Sequence, residues 1–361
     1  KLKWKSTVFT WWKRENLPNV MSITNALNNF RDELIKIEES EKENTSFMMR
    51  LRKLNLQFFP TLSWKLFFPL ELLTFLSMTI YCWAEVHFWK RNSSFFIEFW
   101  LVHLFVCFVV FAVLRGSSSP SLRPLLKEFW PLLFCHVVLT IDSCLDFDTF
   151  TKKSAGTEYY QFTQVLLVPV LFIILKEICS SKLPSKVIYL SLAVLIWQMS
   201  ILFSDMEFHL KFNTSLFSLV IASVYGFYIV LLREKLSVYP VLEVIYVLSL
   251  SIVLVLPVFI LFHHSSTQSK SNTEFTISKI MNIILMAILK VLSWGLSLIT
   301  LKRIHPLLAL LTFRLVSIPD HFIQALVYKL DCVLSGSKVC IIAAIQFILV
   351  HIIYFFSSED I

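Results

Sequence analysis

Lys290 stands in TISKIMNIILMAILKVLSWGLSLIT with more than two turns of apolar residues on either side. An ionisable group at bilayer depth costs about 2.5–3.5 kcal/mol on insertion scales, so this lysine is expected to face an internal cavity and to meet a ligand or a counter-charge there. Asp142 and Asp146, in HVVLTIDSCLDFD, lie one helical turn apart and share a face. They could neutralise Lys290, bind a proton or cation, or cap a packed polar cluster. A structural ion pair of Lys290 with Asp142 and a ligand role for Lys290 stand as equal readings. Arg314, Ser317, Asp320 and His321 fall in HPLLALLTFRLVSIPDHFIQALVY, with Pro319 past its middle. The stretch TEYYQFTQVLLVPVLFIILK, residues 157 to 176, carries Gln161, Thr163 and Gln164 in its first third and Pro169 in its middle. An inert anchor has no use for amides or for a missing backbone hydrogen bond in hydrocarbon.

Other polar groups read as structural. Glu71, Glu85, Glu98, Glu158, Lys176 and Glu243 lie within two turns of a segment end and are expected to be interfacial or to pair helices. His103, His136 and His351 each sit alone on an apolar face, as satisfied core histidines do. There is no HExxH, no GxSxG, no P-loop and no paired Cys/His spacing, so neither an enzyme nor a metal or cofactor is expected.

The elements that must position these residues follow from composition. Of 361 residues 56% are hydrophobic and 16% charged, with 34 phenylalanines, 5 glycines and a strongly positive mean hydropathy, which points to an all-α polytopic membrane protein. At about 20 apolar residues per crossing, ten spans are expected: 66–88, 94–114, 127–150, 157–176, 186–204, 213–233, 240–262, 276–300, 305–328 and 338–356. Short connections make neighbours antiparallel, and an even count puts both termini on one side. Arg50, Arg52, Lys53, Lys65, Arg115, Arg123, Lys127, Arg233, Lys302 and Arg303 crowd that side, which is therefore read as cytosolic. The same distribution accounts for the net charge of +8 without a nucleic acid polymer as partner. Asn92 and Asn213 are sequons that would be lumenal in this orientation, and Asn44, on the other side, matches equally well. Residues 1–62 form an N-terminal extension with amphipathic helices at 21–39 and 47–59, and residues 357–361 a short tail. Cys82, Cys107, Cys135, Cys144 and Cys340 read as small buried hydrophobes, and a loop disulfide between Cys332 and Cys340 is unforced.

If the ten spans are two five-helix halves, these are residues 63–204 and 205–356. Pro169 and Pro319 then fall in the equivalent fourth and ninth helices, and proline-interrupted polar segments at corresponding places point to a transporter's central site.

Two stretches carry a resemblance. In KKSAGTEYYQFTQ, Lys153 is followed by Tyr160 and Gln161 at the opening of the fourth helix. In SVYGFYIVLLREKLSVYPVLEVIYVLSLSIVLVLP a small-residue helix exits through Arg233 and Lys235 into a Tyr239-Pro240 turn, then a run containing Tyr246 and Ser249. From about residue 127 to 356 the chain resembles the triose-phosphate and nucleotide-sugar translocator branch of the drug/metabolite transporter superfamily. The resemblance implies two inverted five-helix repeats, cytosolic termini, a Golgi or ER membrane, and antiport of a nucleotide sugar or sugar phosphate by alternating access; it admits a homodimer. It also implies substrate contacts from helices four and nine, here Tyr160, Gln161 and Gln164, with phosphate-binding charge. Where the family carries basic residues this chain has Gln164 and, near the ninth-helix pair, Val316 and Ser317, so Lys290 and Arg314 are expected to supply the charge. A same-fold carrier for a neutral or cationic solute, with Asp142 or Asp146 titrating, and a scaffold that no longer transports are the alternatives.

Overall fold

The computed structural model describes Leu51, Leu54 and residues 64–88, 95–115, 122–151, 156–181, 183–204, 212–264, 277–316, 319 and 333–358. The chain divides into two compact units, residues 1–53 and 54–361, of which the second is the helical bundle. The amphipathic helices expected at 21–39 and 47–59 lie almost wholly outside the described residues, as do Asn92, Asp320, His321 and Cys332.

Among the described residues of the bundle there are ten α-helices: α1 (Trp64–Phe88), α2 (Phe95–Arg115), α3 (Leu122–Thr151), α4 (Gly156–Ile173), α5 (Ser185–Ser204), α6 (Phe212–Val238), α7 (Val241–His264), α8 (Ile277–Arg303), α9 (Pro306–Leu315) and α10 (Val333–Ser358). In α1, α2 and α7 leucine, valine, isoleucine and phenylalanine run around most of the circumference, so these three are apolar on all sides, as expected of segments with lipid or another helix as neighbour, while α3 and α8 are more one-sided. Five of them are long and apolar enough to cross a membrane: Leu66–Glu85, Ile97–Leu114, Ser215–Val238, Val241–Val258 and Ile277–Arg303.

Prolines punctuate the tight connections. The Pro184 carbonyl accepts the first amide bonds of α5, from Val187 and Ile188, and the Pro240 carbonyl accepts from Val244 in α7. Pro306 occupies the first turn of α9, where a missing N–H costs nothing, and His305 is its N-cap. Pro169 lies inside α4, which leaves α-helical geometry soon afterwards and continues as a π-helical turn over Ile174–Ile178. That turn closes through Cys179 N–H to Ile174 O and Ser181 N–H to Leu175 O, with Ser180 left-handed at φ 52°.

The helices pair as α2 with α7, α5 with α10, α1 with α8, α3 with α6, α4 with α6, α3 with α7, α2 with α8, α4 with α5 and α9 with both α10 and α1. Large side chains coat the outside: Phe108 is 71% exposed, Leu254 62% and Ile277 83%. In water this coat would drive association; in a bilayer it is the lipid-facing surface. Inside lie Phe67, Phe129, Leu171, Leu175, Ile229 and Leu248, all fully buried. Cys107 and Cys135 are buried thiols within this interior.

Candidate functional site

Lys290 sits at the midpoint of α8 and is 9% exposed. Its ammonium lies 4.5 Å from the Trp294 ring centroid one turn along α8, 4.6 Å from Tyr81 of α1 and 5.8 Å from Phe99 of α2. A desolvated cation over an aromatic face gains about 2 kcal/mol. Rings from three helices thus offset much of the cost of holding a charge at this depth.

Two histidines approach the same place. His103, one turn beyond Phe99 on α2, packs at 5.7 Å from the Trp294 ring and is fully buried. Its Nδ1 lies 2.9 Å from the Phe99 carbonyl, which can only accept, so Nδ1 carries the hydrogen and Nε2 presents a lone pair. His136 of α3 stacks on Tyr228 of α6 at 5.5 Å and meets the Trp294 ring edge-on at 5.7 Å. Tyr81 Oη, His103 Nε2 and His136 Nε2 are all buried and find no hydrogen-bond partner among the described residues. Buried polar groups are nearly always satisfied, so these three atoms, gathered near one ammonium, stand among the exceptions in the described residues. The expectation that His103, His136 and His351 stand alone is therefore corrected. Helix packing brings the first two to one tryptophan, and the third to a carboxylate.

That carboxylate is Glu71 of α1, expected to be interfacial or to pair helices; it is buried to 3% exposure and pairs them. His351 Nε2 lies 3.0 Å and 3.2 Å from its two oxygens, and the Thr312 hydroxyl of α9 lies 2.9 Å from Oε1. Arg314, two residues on, is buried and donates to Gln346 Oε1 of α10 at 3.2 Å. The sequence candidates therefore separate: Lys290 belongs to a cluster of α1, α2, α3, α6 and α8, and Arg314 to one of α1, α9 and α10. Gln164 is half-buried on α4, and Asp142 is half-buried six residues beyond His136, about 9 Å along α3. The side chains of Tyr160, Gln161 and Asp146 lie outside the described residues.

A third set of polar contacts ties helix ends together. Arg233 of α6 donates to the Leu301 carbonyl at 2.7 Å, satisfying an acceptor in the last turn of α8. Lys235 lies over the Phe129 ring of α3 at 5.5 Å, and the Tyr239 hydroxyl donates to Glu128. Between α8 and α9, His305 accepts the Leu307 amide on Nδ1 at 3.2 Å, leaving Nε2–H to donate to Ser181 Oγ at 3.3 Å. Burial, reinforced by the nearby Arg233 charge, pushes its pKa down to about 3. In the sequence Arg233 and Lys235 stand out as the basic exit of the sixth helix; the His305-Pro306 step was the available sign of a capped turn.

These features define a polytopic α-helical membrane protein with buried polar clusters. No family model and no curated protein matches the chain. Among solved structures, one described simply as a crystal structure of a protein is similar over 81% of this chain and 98% of its own, with a TM-score of 0.54 and 11% identity. That likeness concerns the fold alone.

Proposed function

We propose that the chain is a secondary carrier of the triose-phosphate and nucleotide-sugar translocator type, exchanging a nucleotide sugar or phosphorylated sugar across a Golgi or ER membrane by alternating access. The observation that carries this reading is the Lys290 cluster. A buried ammonium suits a phosphate, the Tyr81 hydroxyl and two imidazoles suit hydroxyls and phosphate oxygens, and the Trp294, Phe99 and Tyr228 rings suit a base or a sugar face. Arg314, Gln164, Tyr160 and Gln161 are then the second source of substrate contacts, met as the helices change their arrangement.

Helix pairing supports ten crossings in two related halves. Adding five to each helix of the first half turns α1 with α8 into α6 with α3, α2 with α8 into α7 with α3, and α4 with α5 into α9 with α10; each of these pairs is in contact. The pairs α2 with α7 and α5 with α10 map onto themselves. Four of the five long apolar spans, α1 with α6 and α2 with α7, are likewise equivalents.

The test is exchange in proteoliposomes. Protein loaded with a nucleoside monophosphate should take up labelled nucleotide sugar from a panel, and Lys290→Ala should lower that uptake by on the order of 10-fold or more. Failure of every member of the panel, with a protein partner recovered on residues 1–60, would replace the carrier by a scaffold.

A further inference from the structure

We infer that Glu71 and His351 hold one exchangeable proton between them, and that this pair is the proton-coupling site of the carrier. The shared proton follows from hydrogen-bond direction alone. His351 Nδ1 lies 2.8 Å from the Phe347 carbonyl, an acceptor only, so Nδ1 must carry a hydrogen. Its Nε2 is 3.0 Å and 3.2 Å from the Glu71 oxygens. If Glu71 were ionised and His351 neutral, a nitrogen lone pair would face carboxylate lone pairs at that distance inside the protein. The contact exists only with a proton present, either on Nε2 as an imidazolium or on Glu71 as a neutral acid.

Thr312 accommodates both forms. Its oxygen lies 2.9 Å from Glu71 Oε1 and 3.1 Å from the Leu308 carbonyl, yet a hydroxyl has one hydrogen to give. Beside an ionised Glu71 it donates to the carboxylate. Beside a protonated Glu71, whose hydrogen goes to Nε2, it can still donate to Oε1 or turn to the Leu308 carbonyl. The surroundings are otherwise sealed: Phe67 and Phe347 cover the imidazole, with ring centroids at 5.8 Å and 3.9 Å.

Among the described residues, α8 brings Lys302 and Arg303 within a turn of Thr300, whose hydroxyl meets that of Thr74, one turn along α1 from Glu71. Tyr354, on α10 three residues beyond His351, is near enough to Glu71 to feel its charge and stacks on Phe67. Arg314 on α9 is directed to Gln346. Lys290, on α8, stands over Tyr81, about 15 Å along α1 from Glu71. Of the remaining helices packed on α10, α4 presents buried Thr163 and α5 presents buried Ser191 and Gln198, none of them charged.

The three partners come from α1, α9 and α10, so any movement of α10 against α1 separates Nε2 from the carboxylate and removes the reason for the proton to stay. The proton then leaves to whichever side the opening faces, which couples its transfer to the alternating movement. This coupling step rests on the carrier reading; the shared proton does not.

The pair is tested on the full chain in detergent by infrared difference spectroscopy between acidic and alkaline buffer. Wild type should show a carboxylic-acid C=O band and an imidazole band changing with one midpoint. Glu71→Gln should fold, because its amide donates to Nε2 and its carbonyl accepts from Thr312; it should lose that carboxyl band and shift the imidazole midpoint. His351→Gln should shift the carboxyl midpoint. Bands unchanged by Glu71→Gln, or titrating at unrelated midpoints, would overturn the shared proton. In proteoliposomes, Glu71→Gln should keep solute-for-solute exchange and lose uptake driven by a pH gradient. Gradient-driven uptake that survives this substitution overturns the coupling. Absence of any exchange by wild type overturns the carrier reading and the coupling with it, while the spectra still decide the proton.

Discussion

Lys290 and Trp294, one turn apart on α8, are in direct charge–ring contact, the ammonium lying 4.5 Å from the ring centroid. Its own helix thus supplies part of the environment that makes an ammonium tolerable in the membrane interior. Lys290→Met should therefore leave thermal stability in detergent unchanged or raised, since an expensive buried cation is gone. Exchange of a phosphate-bearing solute should fall on the order of 10- to 100-fold, the equivalent of a lost charge-assisted hydrogen bond worth about 1.5–3 kcal/mol. Lys290→Arg should not restore it, because a planar guanidinium cannot occupy the point that a compact ammonium takes among three rings. Melting curves and initial exchange rates read the two effects separately.

His305 makes a stability prediction with a definite sign. Its folded pKa of about 3 lies well below the unfolded value of about 6.5. Between these values the unfolded chain binds a proton that the folded chain refuses, because burial, reinforced by the Arg233 charge, disfavours the imidazolium. Its contribution is thus constant above pH about 6.5 and is lost progressively as pH falls towards 3. His305→Asn keeps an acceptor for the helix start and should flatten that part of the pH–melting curve relative to wild type.

Ser180 adopts φ 52° after the π-helical turn, and a left-handed conformation costs a non-glycine residue about 1–2 kcal/mol. Ser180→Gly relieves that strain at some cost in unfolded-chain entropy, so a net gain of about 0.5–1 kcal/mol, seen as a melting point higher by a few degrees, is expected. Ser180→Val should lower it.

Gly226 of α6 packs under α4: a Cβ added there would lie 2.7 Å from Ile174 Cδ1 and 3.6 Å from the Leu171 backbone. The nearer atom is the end of a side chain that can turn aside, and alanine regains about 1 kcal/mol of helix propensity. Gly226→Ala should therefore be close to neutral in a melting assay. Gly226→Leu must push on the α4 backbone itself and should cost about 1–3 kcal/mol, with only partial recovery when Ile174 is shortened to valine.

Much of the helix order is legible in the sequence because hydropathy and proline placement act locally. Pro184, Pro240 and Pro306 each mark a helix start where a missing N–H is harmless. The partners of α1, α2 and α7 are not legible, since helices apolar on every side carry no stripe to say which face meets a neighbour. Lys290 could be singled out from its own surroundings. The group around it could not, because Tyr81, Phe99, His103 and His136 lie more than 150 positions away in the chain and meet it only after packing. Glu71 and His351 are separated further still, in α1 and α10, and each alone looks like an ordinary polar exception. The available sign was their complementarity: an acid and a base in otherwise uncharged stretches of the first and last helices.

The π-helical turn over Ile174–Ile178 holds one residue more than an α-helical turn would. Drawing that extra residue into the regular spiral would rotate the length of α4 before it by about 100° and slide it by about 1.5 Å, re-aiming Gln164 and the face around Pro169 with few hydrogen bonds broken. The wide turn is thus a built-in swivel, placed between a segment with polar side chains and a linker fastened to His305 through Ser181.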